Sequence, residues 1–194
     1  QRKITNNLAL GNVNQAIGDI VHYGGAEFKG SKKEANKSLL KQWIADRVSF
    51  PGASTIIIAN SYKEVNKFNE CVREQLKKEG IISDKDYLCK TIFGDIVVSV
   101  GDKIEFRQNE PEIGVTNGLS GVITQISEDE IKVCHHNEKN VKKTVKFNPK
   151  EYVHYNLPYA KTYSRVQGET YDRAYVSNST YMSLQKFYVA GTRH

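Results

Sequence analysis

A chain of 194 residues has room for one ordinary domain, or for a domain carrying a small insertion. Its 39% hydrophobic and 26% charged residues are a globular composition, and no apolar run approaches the roughly 18 residues of a membrane span. The net charge of +6 is unevenly placed: between Ile131 and Lys150 stand Lys132, Lys139, Lys142, Lys143, Lys146 and Lys150 against Glu138 alone, a local +5. That run reads either as a solvated lysine face or as a patch turned toward phosphate. Cys71, Cys89 and Cys134 are odd in number and widely spaced, which predicts reduced thiols in a cytoplasmic protein. The opening Gln1-Arg2-Lys3-Ile4-Thr5-Asn6-Asn7 lacks the apolar centre of a signal peptide, and with no initiator Met it reads as the start of an excised piece.

In chain order, Val13, Ala16, Ile17, Ile20 and Val21 have helical spacing, ended by Gly24-Gly25. Ser31-Lys32-Lys33-Glu34 predicts a capping box, followed by a helix with Ala35, Leu39, Leu40, Trp43, Ile44 and Val48 on one face. Thr55 to Ala59 is a continuous apolar run, the pattern of a strand buried on both faces of a parallel sheet. It passes through Asn60-Ser61 into a helix bearing Val65, Phe68, Val72 and Leu76. This is the βα unit of an open α/β sheet, in which ligands bind at the carboxyl ends of strands. Asn60 and Ser61 are therefore either ligand contacts or a plain connection. From Ile96 the texture becomes short alternating strands with Gly punctuation, including the Asn117-Gly118 turn signal. These strands predict a small antiparallel barrel inserted into the α/β unit. The texture returns to α/β from Tyr155, and Ala174 and Val176 alternate as a strand.

Three stretches imitate functional motifs. Gly25 to Lys32 has the glycines of a phosphate loop, but Ser31-Lys32 reverses the order that puts Lys on the phosphates and the hydroxyl on Mg²⁺. Glu128-Asp129-Glu130 falls in a hairpin turn. Cys134-His135-His136 alternates across a strand, so its members face opposite ways and no metal is expected.

Two segments near the end carry more. Thr162-Tyr163-Ser164-Arg165-Val166-Gln167-Gly168, followed by a strand, resembles the superfamily 1 helicase motif Thr-x-His-x-x-Gln-Gly. Ser164 stands in place of the usual His, Arg165 where Lys is common, and Thr170 where many relatives carry Glu. Thr170-Tyr171-Asp172-Arg173 is similar to the form found in the conjugative-relaxase branch. Tyr188-Val189-Ala190-Gly191-Thr192-Arg193-His194 resembles the family's last motif. Val100-Gly101-Asp102-Lys103-Ile104, Asn109 and Gly114-Val115-Thr116-Asn117-Gly118 are similar to the lead-in to an SH3-like barrel in RecD-type and TraA/TraI-type helicases. Phe68, Asn69 and Arg73 match a helix pattern upstream of it.

The resemblance implies a second RecA-like lobe of the α/β class that lacks the Walker loop (residues 1–109 and 153–194), with a small SH3-like β-barrel inserted at 110–152. It implies ATP-driven 5′→3′ movement on single-stranded DNA during plasmid transfer. Arg193 would be the arginine finger, and Gln167, Gly168 and Thr170 would lie on the nucleotide side. Asn60, Ser61, Asn109, Asn117, Thr162, Ser164 and Arg165 would contact DNA. ATP and Mg²⁺ would be held mainly by a first RecA-like domain upstream in the same polypeptide. The chain alone is expected to bind neither, to be inactive and monomeric, and to have no membrane partner. A RecD-type repair helicase and a DNA- or protein-binding module with a lapsed motor are the other readings.

Overall fold

The computed structural model describes residues 2–137 and 139–177. In chain order its elements are α1 (Arg2–Ala9), α2 (Val13–His22), α3 (Lys32–Ser49), β1 (Thr55–Ala59), α4 (Tyr62–Lys78), β2 (Tyr87–Thr91), β3 (Gly94–Val98), β4 (Lys103–Phe106), β5 (Ser120–Ile126), β6 (Ile131–His136), β7 (Lys142–Phe147), β8 (Tyr155–Asn156), β9 (Ala160–Thr162) and β10 (Arg173–Val176). They fall into two compact units, one made by residues up to Phe68 with those from Ala160 onward, the other by Asn69–Tyr159. Among the described residues no helix is long and apolar enough to cross a membrane.

Among the described residues the first unit is built on a three-stranded parallel sheet with β1 in the centre, flanked by β10 and β9. A central strand must bury both faces, and Ile56, Ile57, Ile58 and Ala59 are all fully buried. Ser31 caps α3 by accepting a hydrogen bond from the Glu34 amide at 3.2 Å, so the phosphate-loop imitation at Gly25–Lys32 is used as a helix start. The predicted apolar face of α3 needs one correction. Trp43 is buried, but Val48 is 75% exposed and Asp46 takes an inward position. The Asp46 carboxylate is tolerated there because the Tyr175 hydroxyl (2.6 Å), Arg173 (3.0 Å) and Gln42 (2.9 Å) all donate to it. Helix α1 was not foreseen, being a short run of mostly polar residues; Lys3 and Asn7 tie it to Asp19 of α2 at 3.3 and 3.2 Å.

The second unit holds a five-stranded antiparallel sheet in the order β7-β6-β5-β4-β8, together with the hairpin β2–β3. The sheet draws on residues on both sides of 110–152, through β4 and β8. Among the described residues β7 and β8 are its edges, and no pairing joins them into a closed barrel. Alternation along the strands sends Ile104, Phe106, Ile123, Ile131, Val133, Val145 and Phe147 into one apolar core. Phe147 packs on Phe106, Tyr152 and Tyr155 with ring centroids 5.1 to 5.6 Å apart.

The outward positions of the same strands carry the lysines. Lys132 pairs with Lys146 and His136 with Lys142 across β6 and β7, and the alternation puts all four on the face opposite the core. Lys132 and Lys146, opposite one another, repel, and the charge on Lys132 is offset by Glu130 at 3.4 Å, with its ammonium also donating to the Gln125 side chain at 2.8 Å.

Candidate functional site

Because β9, β1 and β10 are parallel, their carboxyl ends lie along one edge of the sheet. Thr162 is in register with Ala59 and Val176 with Ile58. Asn60 and Ser61 follow β1 on that edge, Ser164 and Arg165 follow β9, and Ser177 follows β10. The fold thus gathers five of the predicted DNA-contacting residues, Asn60, Ser61, Thr162, Ser164 and Arg165, at the strand ends where open α/β sheets bind ligands.

Each group there also has local work. Ser61 caps α4, its hydroxyl accepting from the Glu64 amide at 3.3 Å, while the Glu64 carboxylate accepts from the Asn60 amide at 3.0 Å. Thr162 is nearly buried, with its hydroxyl 3.1 Å from that of Ser164. The Thr162 carbonyl accepts from the amides of Arg165 (2.9 Å) and Val166 (3.2 Å). The segment after β9 therefore turns once and remains a loop. Ser164 and Arg165 are exposed.

From this edge the loop runs back to the opposite, amino-terminal end of the sheet, where β10 starts. Gln167, Gly168 and Thr170 are exposed along the crossing, and Gly168 has φ +87°, a left-handed conformation suited to glycine. The crossing is fastened at its far end. The Asp172 carboxylate accepts from both the amide and the hydroxyl of Ser54 at 2.7 Å, and the Asp172 amide donates to the Ser54 hydroxyl at 3.0 Å. Arg173 pairs with Asp46, its guanidinium 3.9 Å from the centre of the Phe50 ring. Asp172 and Arg173, read in the sequence as part of a motif, are scaffold contacts in this unit.

A cluster the sequence reading missed lies beside the crossing. Lys161, on β9, bonds both carboxylate oxygens of Glu169 at 2.9 and 2.8 Å, and Glu169 also accepts the Tyr171 hydroxyl. Only the burial of Lys161 exposes the arrangement; in sequence these are three ordinary polar residues.

Asn109 and Asn117 belong to the second unit, where the Asn109 side chain accepts from the Asn117 amide at 2.7 Å and staples the turn ahead of β5. Within the same unit Arg73 and Asp102, taken from two separate motif matches, meet. The Arg73 Nε donates to Asp102 at 2.9 Å and its Nη2 to Asp86 (2.7 Å) and Ser99 (2.9 Å). Asp102 also accepts from the Ser99 amide and the Tyr159 hydroxyl. Burial pushes the Asp102 carboxyl above its ordinary value, against the pull of Arg73, Ser99 and Tyr159. Burial also acts upward on Asp86, but hydrogen bonds from Lys77, Arg73 and Ser99 outweigh it and hold that carboxyl at about 2. Arg193 and the rest of the terminal motif lie outside the described residues.

No family model matches the chain. It is 31% identical over 188 residues to a probable conjugal transfer protein TraA of Sinorhizobium fredii, covering 96% of this chain and 17% of that protein. It is 30% identical over 195 residues to the conjugal transfer protein TraA of Agrobacterium fabrum, covering 100% of this chain and 17% of the relative. The chain therefore spans about a sixth of the length of these relatives. Among solved structures, the Pif1 helicase of Candida albicans matches 99% of this chain and 50% of its own, at 14% identity and a TM-score of 0.67, a likeness of fold. The chain is thus similar to TraA conjugal transfer proteins over about a sixth of their length, and its mixed α/β fold is like that of a Pif1 helicase.

Proposed function

We propose that this chain is the second RecA-like lobe of a helicase unit in a conjugal transfer protein, and that it contributes single-stranded DNA contacts and an arginine finger to 5′→3′ unwinding. The observation that carries the reading is the gathering of Asn60, Ser61, Thr162 and Ser164 at the carboxyl edge of the parallel sheet. Hydroxyls, side-chain amides and exposed backbone there suit a phosphate. Asn109, Asn117 and the Lys132–Lys146 face would add contacts from the second unit, which in this reading carries the SH3-like insertion.

In this reading the chain would meet a nucleotide on one side only. Gly25–Lys32 is occupied as a helix cap, so the phosphate cradle and the Mg²⁺ ligands would come from a preceding RecA-like domain of the same polypeptide. Gln167, Gly168 and Thr170 would line the near side, and Arg193 would meet charge developing on the γ-phosphoryl group. ATP, when bound, supplies the free energy for movement along DNA.

Binding of labelled oligo-dT to the chain, followed across a salt series, tests the DNA half. Affinity should fall steeply with salt; Thr162→Val should weaken it about tenfold, and Arg165→Gln should lower the salt slope by about one. Binding that ignores salt would point instead to a protein-binding module. For the nucleotide half, ATPase activity in the isolated chain that disappears in Arg193→Ala would overturn the half-site reading.

A further inference from the structure

The exposed Gln167-Gly168 turn has neither helix nor strand of its own, yet it is anchored on both sides. Before it, Val166 is fully buried in an apolar cluster with Ile56, Ile58 and Tyr163. After it, Glu169 grips the Lys161 ammonium with both carboxylate oxygens, at 2.9 and 2.8 Å, and accepts the Tyr171 hydroxyl as well. The Lys161 side chain is only 10% exposed, and its ammonium lies 6.0 Å from the centre of the Tyr171 ring. A cation so covered is costly to leave without its counter-charge, so the chain between Thr162 and Glu169 is constrained to return to this spot. Lys161 precedes Thr162 on β9, and neighbouring residues on a strand face opposite ways. The ammonium is thereby kept away from the side of the strand that carries the Thr162 and Ser164 hydroxyls.

From this we infer that Lys161, Glu169 and Tyr171 are positioning residues: an ionic clamp that fixes where the Gln167-Gly168 turn stands relative to the Thr162–Ser164 hydroxyl pair. The inference rests on the reading of this loop as a DNA and nucleotide contact. It differs sharply from the simpler idea that Lys161 is itself a phosphate ligand. For a direct ligand, removing the negative charge of Glu169 would free the ammonium and tighten DNA binding. For a clamp, losing either partner loosens the same loop.

The test uses the chain with Lys161→Met, Glu169→Gln, both together, and the reversed pair Lys161→Glu with Glu169→Lys. Two measurements are made: oligo-dT affinity, and the rate of tryptic cleavage after Arg165, which lies exposed on the loop just before the buried Val166. Circular dichroism checks that each variant is folded. The clamp predicts that each single change weakens DNA binding by about tenfold and speeds cleavage after Arg165, with the double variant no worse than the poorer single. The reversed pair should recover part of both. Tighter binding in Glu169→Gln beside weaker binding in Lys161→Met would make Lys161 a direct contact and overturn the proposal, as would unchanged cleavage in both singles. If the unaltered chain fails to bind oligo-dT, the DNA reading falls, and the clamp is still judged by the cleavage rates.

Discussion

Two sets of motif residues, one in each unit, are used in opposite ways. In the second, Arg73, Gly101 and Asp102 are spent inside the fold: guanidinium and carboxylate meet in the interior, and Gly101 lies at φ +94° where a Cβ would stand 2.4 Å from the Ile81 carbonyl oxygen. In the first, Thr162, Ser164, Gln167 and Gly168 lie on strand ends and on a loop, and a Cβ on Gly168 would meet nothing within 4 Å. Similar motif likeness in the sequence therefore marks scaffold at Arg73, Gly101 and Asp102 and an available surface at Ser164, Gln167 and Gly168. An antiparallel sheet with tight turns has few exposed strand ends to lend, whereas a parallel sheet presents all its carboxyl ends on one edge.

The largest effect that could break this contrast is on the buried pair. Asp102→Ala takes one of two carboxylate partners from the buried Arg73 guanidinium and removes the acceptor of the Ser99 amide and the Tyr159 hydroxyl, and denaturant unfolding of the second unit should show a loss of about 3 kcal/mol. A loss near zero would mean that these residues are not scaffold.

The glycines give the next test. Gly101→Ala adds a backbone clash to left-handed strain and should cost about 3 kcal/mol, while Gly168→Ala carries the strain alone and should cost about 1 kcal/mol. Equal losses by thermal unfolding would erase the difference between the units.

The smallest effect is on pH. Asp86 is held at about 2, below the ordinary carboxylate value of about 3.9, so its stabilising contribution is complete above the higher value and is lost as pH falls toward the lower. Acid titration of the second unit should show this loss, reduced by water around a side chain that is 44% exposed. Asp86→Asn should remove the dependence in that window.

Much of the architecture was legible in the residues. The Ile-Ile-Ile run of β1, the capping serine of α3, the helical spacing of Val65, Phe68, Val72 and Leu76, and the alternation in β5, β6 and β7 each fix a local conformation through short-range sterics and burial. Helix α1 and strand β2 escaped notice because each is short and mostly polar or exposed, and β2 is held by its pairing with β3. Val48 was misplaced because helical spacing alone cannot tell that Asp46 would find Tyr175 and Arg173, more than a hundred residues away, to support it.

By itself, the sequence determined the α/β class, the lysine excess and the motif that brings Thr162 and Gln167 together in one loop. Only the tertiary structure decided which of these residues share an edge, because parallel pairing of β9, β1 and β10 aligns strands from distant parts of the chain. It alone decided that Asp172 and Arg173 brace the sheet, that Arg73 meets Asp102, and that Lys161 grips Glu169. Each of those contacts depends on burial at a distance, which local spacing does not encode.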